Sequence, residues 1–190
     1  VDGVDVRELS QKELREKIGY VPQKGILFSG TIESNLRYGK QNATEQQVKK
    51  AAEIAQAIDF IMEKEEGFDS PIAQGGTNVS GGQKQRLSIA RAVIKNPEIY
   101  IFDDSFSALD YKTDVVLRKA LKKETKDATT IIVAQRISTI LHAEQIIVLD
   151  EGRIVGKGTH KELLKNCDVY KQIALSQLSE KELHDEKEEA

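Results

Sequence analysis

The feature that most constrains this chain is a glycine-rich heptapeptide, SGGQKQR at residues 80–86, followed by the run IYIFDD at residues 99–104. The first predicts the start of a helix, where the leading backbone N–H groups have no internal partners and the helix dipole favours an anion. Glycines there let a phosphate approach the main chain. A bare S-G-G fits a plain capped helix equally well. The full string, upstream of an apolar strand ending in Asp103 and Asp104, favours a phosphate-binding site instead.

The bulk properties of the chain limit its class. A length of 190 residues with 39% apolar residues allows one ordinary domain, or one with an inserted lobe. No apolar run approaches the roughly eighteen residues of a membrane span, and no signal-peptide pattern occurs. The single cysteine, Cys167, excludes an internal disulfide and fits a reducing compartment. A net charge of −3 gives no support to nucleic-acid binding. We expect a soluble, cytosolic α/β domain.

Strand and helix patterns alternate along most of the chain. The strands are predicted at 18–23, 99–102, 130–134, 146–149 and 153–155. The helices are predicted at 31–38, 44–66, 80–95, 110–123, 160–166 and 169–178. The runs 99–102 and 130–134 are typical of parallel strands covered on both faces. In the helix 110–123 we expect four residues to point inward, namely Val115, Val116, Leu117 and Leu121. The Glu- and Lys-rich residues 180–190 predict a frayed helix or a disordered tail.

The order and content of these motifs are similar to those of the nucleotide-binding domain of ABC transporters. SGGQKQR resembles the family's signature sequence, and IYIFDD resembles its Walker B strand. The resemblance covers about residues 1–178. It implies an α/β fold with a RecA-like P-loop NTPase core formed by residues 1–37 and 97–178. It also implies an inserted helical subdomain, residues 38–96, and leaves a charged tail at residues 179–190.

The phosphate-cradling loop of such a core is absent from these 190 residues. No G-x-x-x-x-G-K-[ST] occurs in them. We therefore expect a core without its first strand and P-loop, truncated after the Walker A region. The isolated chain is expected to be inactive as an ATPase and to bind nucleotide weakly.

The resemblance implies ATP and Mg²⁺ as ligands and assigns roles to individual residues. Gln23 falls at the Q-loop, whose glutamine contacts magnesium and the attacking water. Asp103 is implied to hold magnesium, usually through water. Residues 107–110 resemble the D-loop, which crosses the dimer interface, and Asp110 ends it. The signature residues implied to bind the ATP of another subunit are Ser80, Gly81, Gly82 and Gln83.

The stretch LFSGTIESNL at residues 27–36 is typical of exporters. In that class this surface meets the coupling helices of a transmembrane domain. The resemblance therefore implies a transmembrane domain and a second ABC subunit as partners, and no nucleic acid. It places the parent protein at the cytoplasmic face of the cell membrane, exporting a drug- or lipid-like substrate.

Three residues depart from the pattern of hydrolysing family members. Asp104 stands where a glutamate acts as general base in hydrolysing members. A base must come within roughly 2.6–3.2 Å of the attacking water. Aspartate is one methylene shorter than glutamate, so we expect its carboxylate to lie too far from that water. Gln135 replaces the switch histidine and carries no proton that titrates near neutral pH. Gln74 replaces a glutamate before the signature. Together the three changes resemble the catalytically degenerate half of a heterodimeric exporter.

Two other function classes remain open at this point. The chain could be a non-catalytic interaction module that docks on a partner without nucleotide of its own. A soluble relative acting in DNA repair or translation is disfavoured by residues 27–36 and by the modest acidity. Among the histidines, His142 is predicted to lie on a helix surface, His184 in the tail, and His160 at a helix start with a structural role.

Overall fold

The computed structural model describes residues 1–178, which divide into two compact units after Val133. In the first unit, Ser10 caps the helix α1 (Gln11–Lys17), which runs directly into the strand β1 (Ile18–Val21). The elements that follow in this unit are β2 (Gly30–Thr31), α2 (Ile32–Arg37), α3 (Glu45–Ile54), α4 (Ile58–Met62), β3 (Pro71–Ile72), α5 (Gly81–Lys95), β4 (Ile99–Asp103), α6 (Tyr111–Glu124) and β5 (Thr129–Val133). The α/β class predicted from the sequence is confirmed.

A parallel sheet with the order β1-β4-β5 forms the centre of the first unit. Ile99 of β4 pairs with Ile18 on one side and Thr129 on the other. The strands β2 and β3 form a separate antiparallel pair. Because the carboxyl ends of parallel strands meet at one edge, the residues after β1 and β4 lie close together, which is where ligands bind in open α/β sheets.

The helix α5 is the main packing element of the first unit. It lies against α2, α3 and β1, and most of its residues from Leu87 to Ile94 are buried. Gly39, two residues after the end of α2, lies directly against α5, because a Cβ there would overlap the carbonyl oxygen of Arg91 and crowd Ile94. Asn96 adopts a left-handed backbone, φ 51°, and ends α5 immediately before Pro97, as predicted.

The single long helix predicted for residues 44–66 is wrong, because the structure breaks it into α3 and α4. Gln56 has a positive φ of 54°, and the Ala57 N–H donates to the Ala52 carbonyl across the break. Ala55 and Ala57 on either side are fully buried. Tertiary packing of these alanines, and no glycine or proline, sets the break, so the sequence carries no local signal for it.

Two burial predictions are also wrong. In α6, Val115 and Val116 are 40% and 45% exposed. Asp114 occupies the buried stripe beside Leu117 and pairs its carboxylate with Arg118 at 2.9 Å. In β5, the side chains are mostly exposed and not covered on both faces, because β4 is the one described element that packs extensively against this strand.

The second unit begins at Ala134. Its elements are α7 (Ile137–Ile140), β6 (Ile146–Asp150), β7 (Arg153–Gly158), α8 (His160–Asn166) and α9 (Asp168–Gln177). The antiparallel pairing of β6 and β7 through Glu151 and Gly152, both with positive φ, confirms the predicted hairpin.

His160 lies in the core of the second unit and has the structural role predicted for it. Its Nδ1 is 2.7 Å from the hydroxyl of Tyr170, and both side chains are buried. His142 is exposed as predicted, but it lies in a turn after α7 and not on a helix. His184 and the predicted tail lie outside the described residues.

None of the helices between residues 1 and 178 combines the length and apolar content that crossing a membrane requires. The helical subdomain proposed for residues 38–96 falls within the first compact unit and stays a prediction.

Candidate functional site

The structure brings Gln23, Asp103 and Asp104 together at the carboxyl edge of the sheet. Asp103 is the last residue of β4, and the hydroxyl of Tyr20 in β1 donates to its Oδ2 at 2.9 Å. This hydrogen bond raises the pKa of Tyr20 above its ordinary value, so the phenol stays a donor. The side-chain amide of Gln23 donates from Nε2 to Asp104 Oδ2 at 3.0 Å. Each carboxylate therefore receives a hydrogen bond from the segment that contains β1.

The backbone at Asp104 fixes the direction of its side chain. Its φ of 44° lies in the left-handed region, which is uncommon outside glycine and clusters at functional sites. The Asp104 N–H donates to the carbonyl of Val133 at 2.8 Å, and its own carbonyl accepts from the Ser107 hydroxyl at 2.9 Å. Asp104 is thus held from both sides in a sharp turn after β4.

The first turn of α5 presents accessible backbone amides. Ser80 and Gln83 form a capping box, in which the Gln83 N–H donates to the Ser80 hydroxyl and the Ser80 N–H donates to the Gln83 side chain. Gly81 is exposed, and a Cβ built on it would meet nothing within 4 Å. Gly82 is half-buried, with a Cβ position 3.3 Å from the carbonyl oxygen of Ala108. This geometry suits the close approach of an anion.

Asp110 caps α6 and lies near the same helix end. Its carboxylate accepts from the Thr113 N–H at 3.0 Å, and this hydrogen bond lowers the pKa of Asp110 below its ordinary value. Arg86 interacts electrostatically with Asp110, donates to the Gln56 carbonyl at 2.7 Å and stacks on Phe60. Burial lowers the pKa of the Arg86 guanidinium.

Gln135 and Gln74 are the other two residues that depart from the pattern of hydrolysing members. Gln135 is an exposed residue of the second unit, where Gln177 donates to its carbonyl at 2.8 Å and accepts from the Ile137 N–H at 2.9 Å. Gln74 is an exposed residue at the start of a 3₁₀ turn. The catalytic consequences of both substitutions stay predictions.

Three residues in or near these motifs were not singled out from the sequence. Gln85 is 1% exposed and hydrogen-bonds the loop around Gln23. Arg91 donates to the carbonyls of Asn35 and Ile26. Tyr20 donates to Asp103. A signal existed for Gln85, because it is a polar residue four positions before Ile89 on the apolar stripe of α5.

Asn35 and Arg91 hold the exporter-like stretch in place. The Asn35 side chain accepts from the Phe28 N–H at 2.9 Å and donates to the Phe28 carbonyl at 2.8 Å. The Arg91 guanidinium also donates to Asn35 and lies 5.2 Å from the ring centroid of Phe28 and 5.6 Å from that of Tyr38. Phe28 and Tyr38 are themselves 44% and 67% exposed. Phe28 and Tyr38 therefore form an exposed aromatic surface, which the contacts of Asn35 and Arg91 hold in place.

The oxygen atoms at the sheet edge suit a magnesium ion that is coordinated by a phosphate as well as by the protein. Over residues 1–178, no three His, Cys, Asp or Glu side chains form a group that could hold a metal ion alone. Mg²⁺ is usually bound by one or two carboxylates together with substrate phosphates and water. Asp103, with the amide oxygen of Gln23, supplies ligands of that kind.

Comparison with known proteins identifies the family. The model of the ABC transporter family matches residues 1–107, and the chain belongs to this family. An uncharacterized ABC transporter ATP-binding protein of Mycobacterium tuberculosis is 51% identical over 180 residues, covering 93% of this chain and 31% of its own. A putative multidrug export ATP-binding/permease protein of Staphylococcus aureus is 44% identical over 173 residues, covering 91% of this chain and 30% of its own.

A solved structure supports the same conclusion. The structure of a bacterial Atm1-family ABC exporter with ATP bound superposes with a TM-score of 0.90 at 38% identity, over 94% of this chain and 31% of that one. The RecA-like P-loop NTPase type of fold expected from the resemblance is thus confirmed. The chain spans about 31% of the length of these relatives.

Proposed function

We propose that this chain is the ATP-binding part of an ABC exporter subunit, and that it lends its signature helix to an ATP site completed by a second subunit. The observation that carries the proposal is the first turn of α5, where Gly81 is exposed and unobstructed next to a capped helix start. Ser80 and Gln83 satisfy each other there, which leaves the glycine amides for a phosphate.

The chain's own nucleotide site is proposed to be degenerate. Bound ATP and Mg²⁺ supply the transferable phosphoryl group and the positive charge that stabilises it. Asp103 is proposed to hold the metal, and Gln23 to orient the attacking water. Asp104 is already hydrogen-bonded to Gln23 and is shorter than the glutamate of active members. Gln135 cannot exchange a proton near neutral pH. The expected result is slow hydrolysis, since loss of a positioned base costs about 10²–10⁴-fold in rate.

The partners follow from the exposed aromatic surface around Phe28 and Tyr38. We propose that this surface receives the coupling helices of a transmembrane domain, so that the chain works at the cytoplasmic face of a membrane. The rigid support from Asn35 and Arg91 suits a surface that must transmit force. A drug- or lipid-like substrate is proposed from the exporter-like stretch and from the multidrug relative of Staphylococcus aureus.

The degenerate-site proposal is tested by restoring the missing groups. In the full-length heterodimer, Asp104→Glu combined with Gln135→His is expected to raise ATP turnover at this site by at least tenfold, because both a general base and a titratable group return. Single-turnover hydrolysis is measured with the partner's own base disabled.

Asp127→Glu alone serves as the control, since it makes the same Asp-to-Glu change at a side chain that is 89% exposed and lies after α6, and it is expected to leave this rate unchanged. An unaltered rate in the double variant would contradict the degenerate-site proposal. Failure of the heterodimer to bind ATP at all would contradict the exporter assignment.

A further inference from the structure

Gln85 bridges the signature helix and the loop that carries Gln23. Its Oε1 accepts from the Gly25 N–H at 3.0 Å, and its Nε2 donates to the Pro22 carbonyl at 3.0 Å. Both halves of one buried amide are thus used on the two flanks of Gln23. Gln23 itself is exposed.

The same loop lies directly against the backbone of α5. A Cβ added at Gly25 would come within 2.9 Å of the carbonyl carbon and oxygen of Lys84 and 2.8 Å from the Ser88 hydroxyl. The loop therefore cannot slide along the helix, and it cannot lift without leaving a buried donor and a buried acceptor without partners. Buried polar groups in proteins are almost always hydrogen-bonded, and separating them is costly.

The connection runs from one motif to the other in few steps. Ser80 caps α5, and Gln85 follows five residues later on the same rigid helix, about 8 Å along its axis. From Gln85 the hydrogen bonds reach both sides of Gln23, whose side chain donates to Asp104. A movement of the helix start is thus tied to the residues at the sheet edge.

We propose that Gln85 is a positioning residue, which attaches the Gln23 loop to the signature helix. Because of this attachment, a nucleotide bound at residues 80–83 also orders the side chains of Gln23 and Asp104. This rests on the proposed function, since it requires nucleotide at the first turn of α5. It makes the two ATP sites of the dimer communicate within one chain, through a side chain that touches neither nucleotide.

The test is hydrogen exchange of residues 22–27 in the full-length transporter with its partner subunit, with and without Mg-ATP. In the unaltered protein, Mg-ATP is expected to slow exchange in this segment at least threefold. Gln85→Met keeps the length of the side chain and removes both hydrogen bonds. It is expected to speed exchange in the segment about tenfold and to abolish the protection by Mg-ATP.

A matched control separates positioning from a general loss of stability. Thr125→Val also removes a buried polar group, but the Thr125 hydroxyl donates to the Leu121 carbonyl and accepts from the Thr130 hydroxyl, and neither partner belongs to the loop around Gln23. It is expected to lower the melting temperature while preserving the Mg-ATP protection of residues 22–27. Gln85→Glu keeps the acceptor for the Gly25 N–H and loses the donor to the Pro22 carbonyl. We therefore expect Mg-ATP to protect residues 22–27 only in part in this variant. It replaces the Gln85→Met variant if that variant does not fold.

The outcomes distinguish the two proposals. Full Mg-ATP protection of residues 22–27 in both Gln85 variants would overturn the positioning role alone. Absence of any Mg-ATP protection at residues 80–83 in the unaltered protein would overturn the proposed function and, with it, this inference.

Discussion

At the scale of single residues, the buried amide side chains hold the exporter-like stretch and the signature helix in place. Asn35 is 2% exposed and bonds the Phe28 N–H and carbonyl, the Thr31 carbonyl and Arg91. Gln85 does the same for the loop around Gln23. A buried polar group contributes mainly because its removal leaves its partners unsatisfied.

The substitution Asn35→Ala is expected to lower the free energy of unfolding of the 190-residue chain by about 2 kcal/mol, because the Phe28 N–H and the Arg91 guanidinium lose their buried acceptor. Urea denaturation followed by circular dichroism measures this change. Asn78→Ala is the control, since exposed Asn78 also bonds backbone groups, those of Ala73 and Pro71, at the surface. A loss for Asn35→Ala no larger than that for Asn78→Ala would contradict the argument.

At the scale of elements, local signals predicted those helices and strands that are set by caps and uninterrupted patterns. The start and end of α5 follow from Ser80 with Gln83 and from Asn96 before Pro97. The hairpin of β6 and β7 follows from its turn residues.

Elements whose limits depend on tertiary contacts were not predictable in the same way. The break between α3 and α4 occurs at Gln56 with no local signal, because buried alanines on both sides set the backbone. In α6, Asp114 takes the place of the valines on the buried stripe through its pairing with Arg118. Of the candidate site, the resemblance assigned Gln23 and Asp103 to magnesium and Asp104 to the position of the general base, and the structure brings these residues together. The hydrogen bonds of Tyr20 and Gln85 could not be read from the sequence, because they join residues sixty or more positions apart.

The contact between α2 and α5 leads to an element-scale prediction. Gly39→Ala is expected to destabilise the chain by about 2 kcal/mol, because the new methyl group would overlap the Arg91 carbonyl and push the segment after α2 away from α5. Thermal unfolding of the variant is compared with that of Gly81→Ala, whose Cβ meets nothing within 4 Å. Equal melting temperatures for the two variants would contradict this prediction, because they would mean that the chain accommodates the methyl group at position 39 without losing stability.

At the scale of the whole molecule, the chain spans about 31% of the length of its relatives, and its described residues contain the proposed signature helix and the proposed metal-binding edge. The 190 residues contain no G-x-x-x-x-G-K-[ST], and that loop provides most of the backbone donors for the phosphates in this family of folds. The helix start and the sheet edge are proposed to orient and complete a nucleotide site, and they offer few groups that could hold a nucleotide on their own.

Calorimetric titration of the 190-residue chain with Mg-ATP is therefore expected to show no binding tighter than about millimolar. Gly81→Asp, which places a carboxylate at the open helix start, is the comparison and should give the same null heat. Micromolar binding abolished by Gly81→Asp would mean that α5 alone can retain a nucleotide, and the weak-binding prediction would be wrong.

The left-handed backbone at Asp104 has a consequence for how this sequence can change over time. Aspartate and asparagine tolerate that conformation better than longer side chains do, since their short polar groups bond locally. A change to glutamate at this turn would therefore meet a small conformational penalty in every folded molecule. Protein folding itself thus favours aspartate over glutamate at position 104.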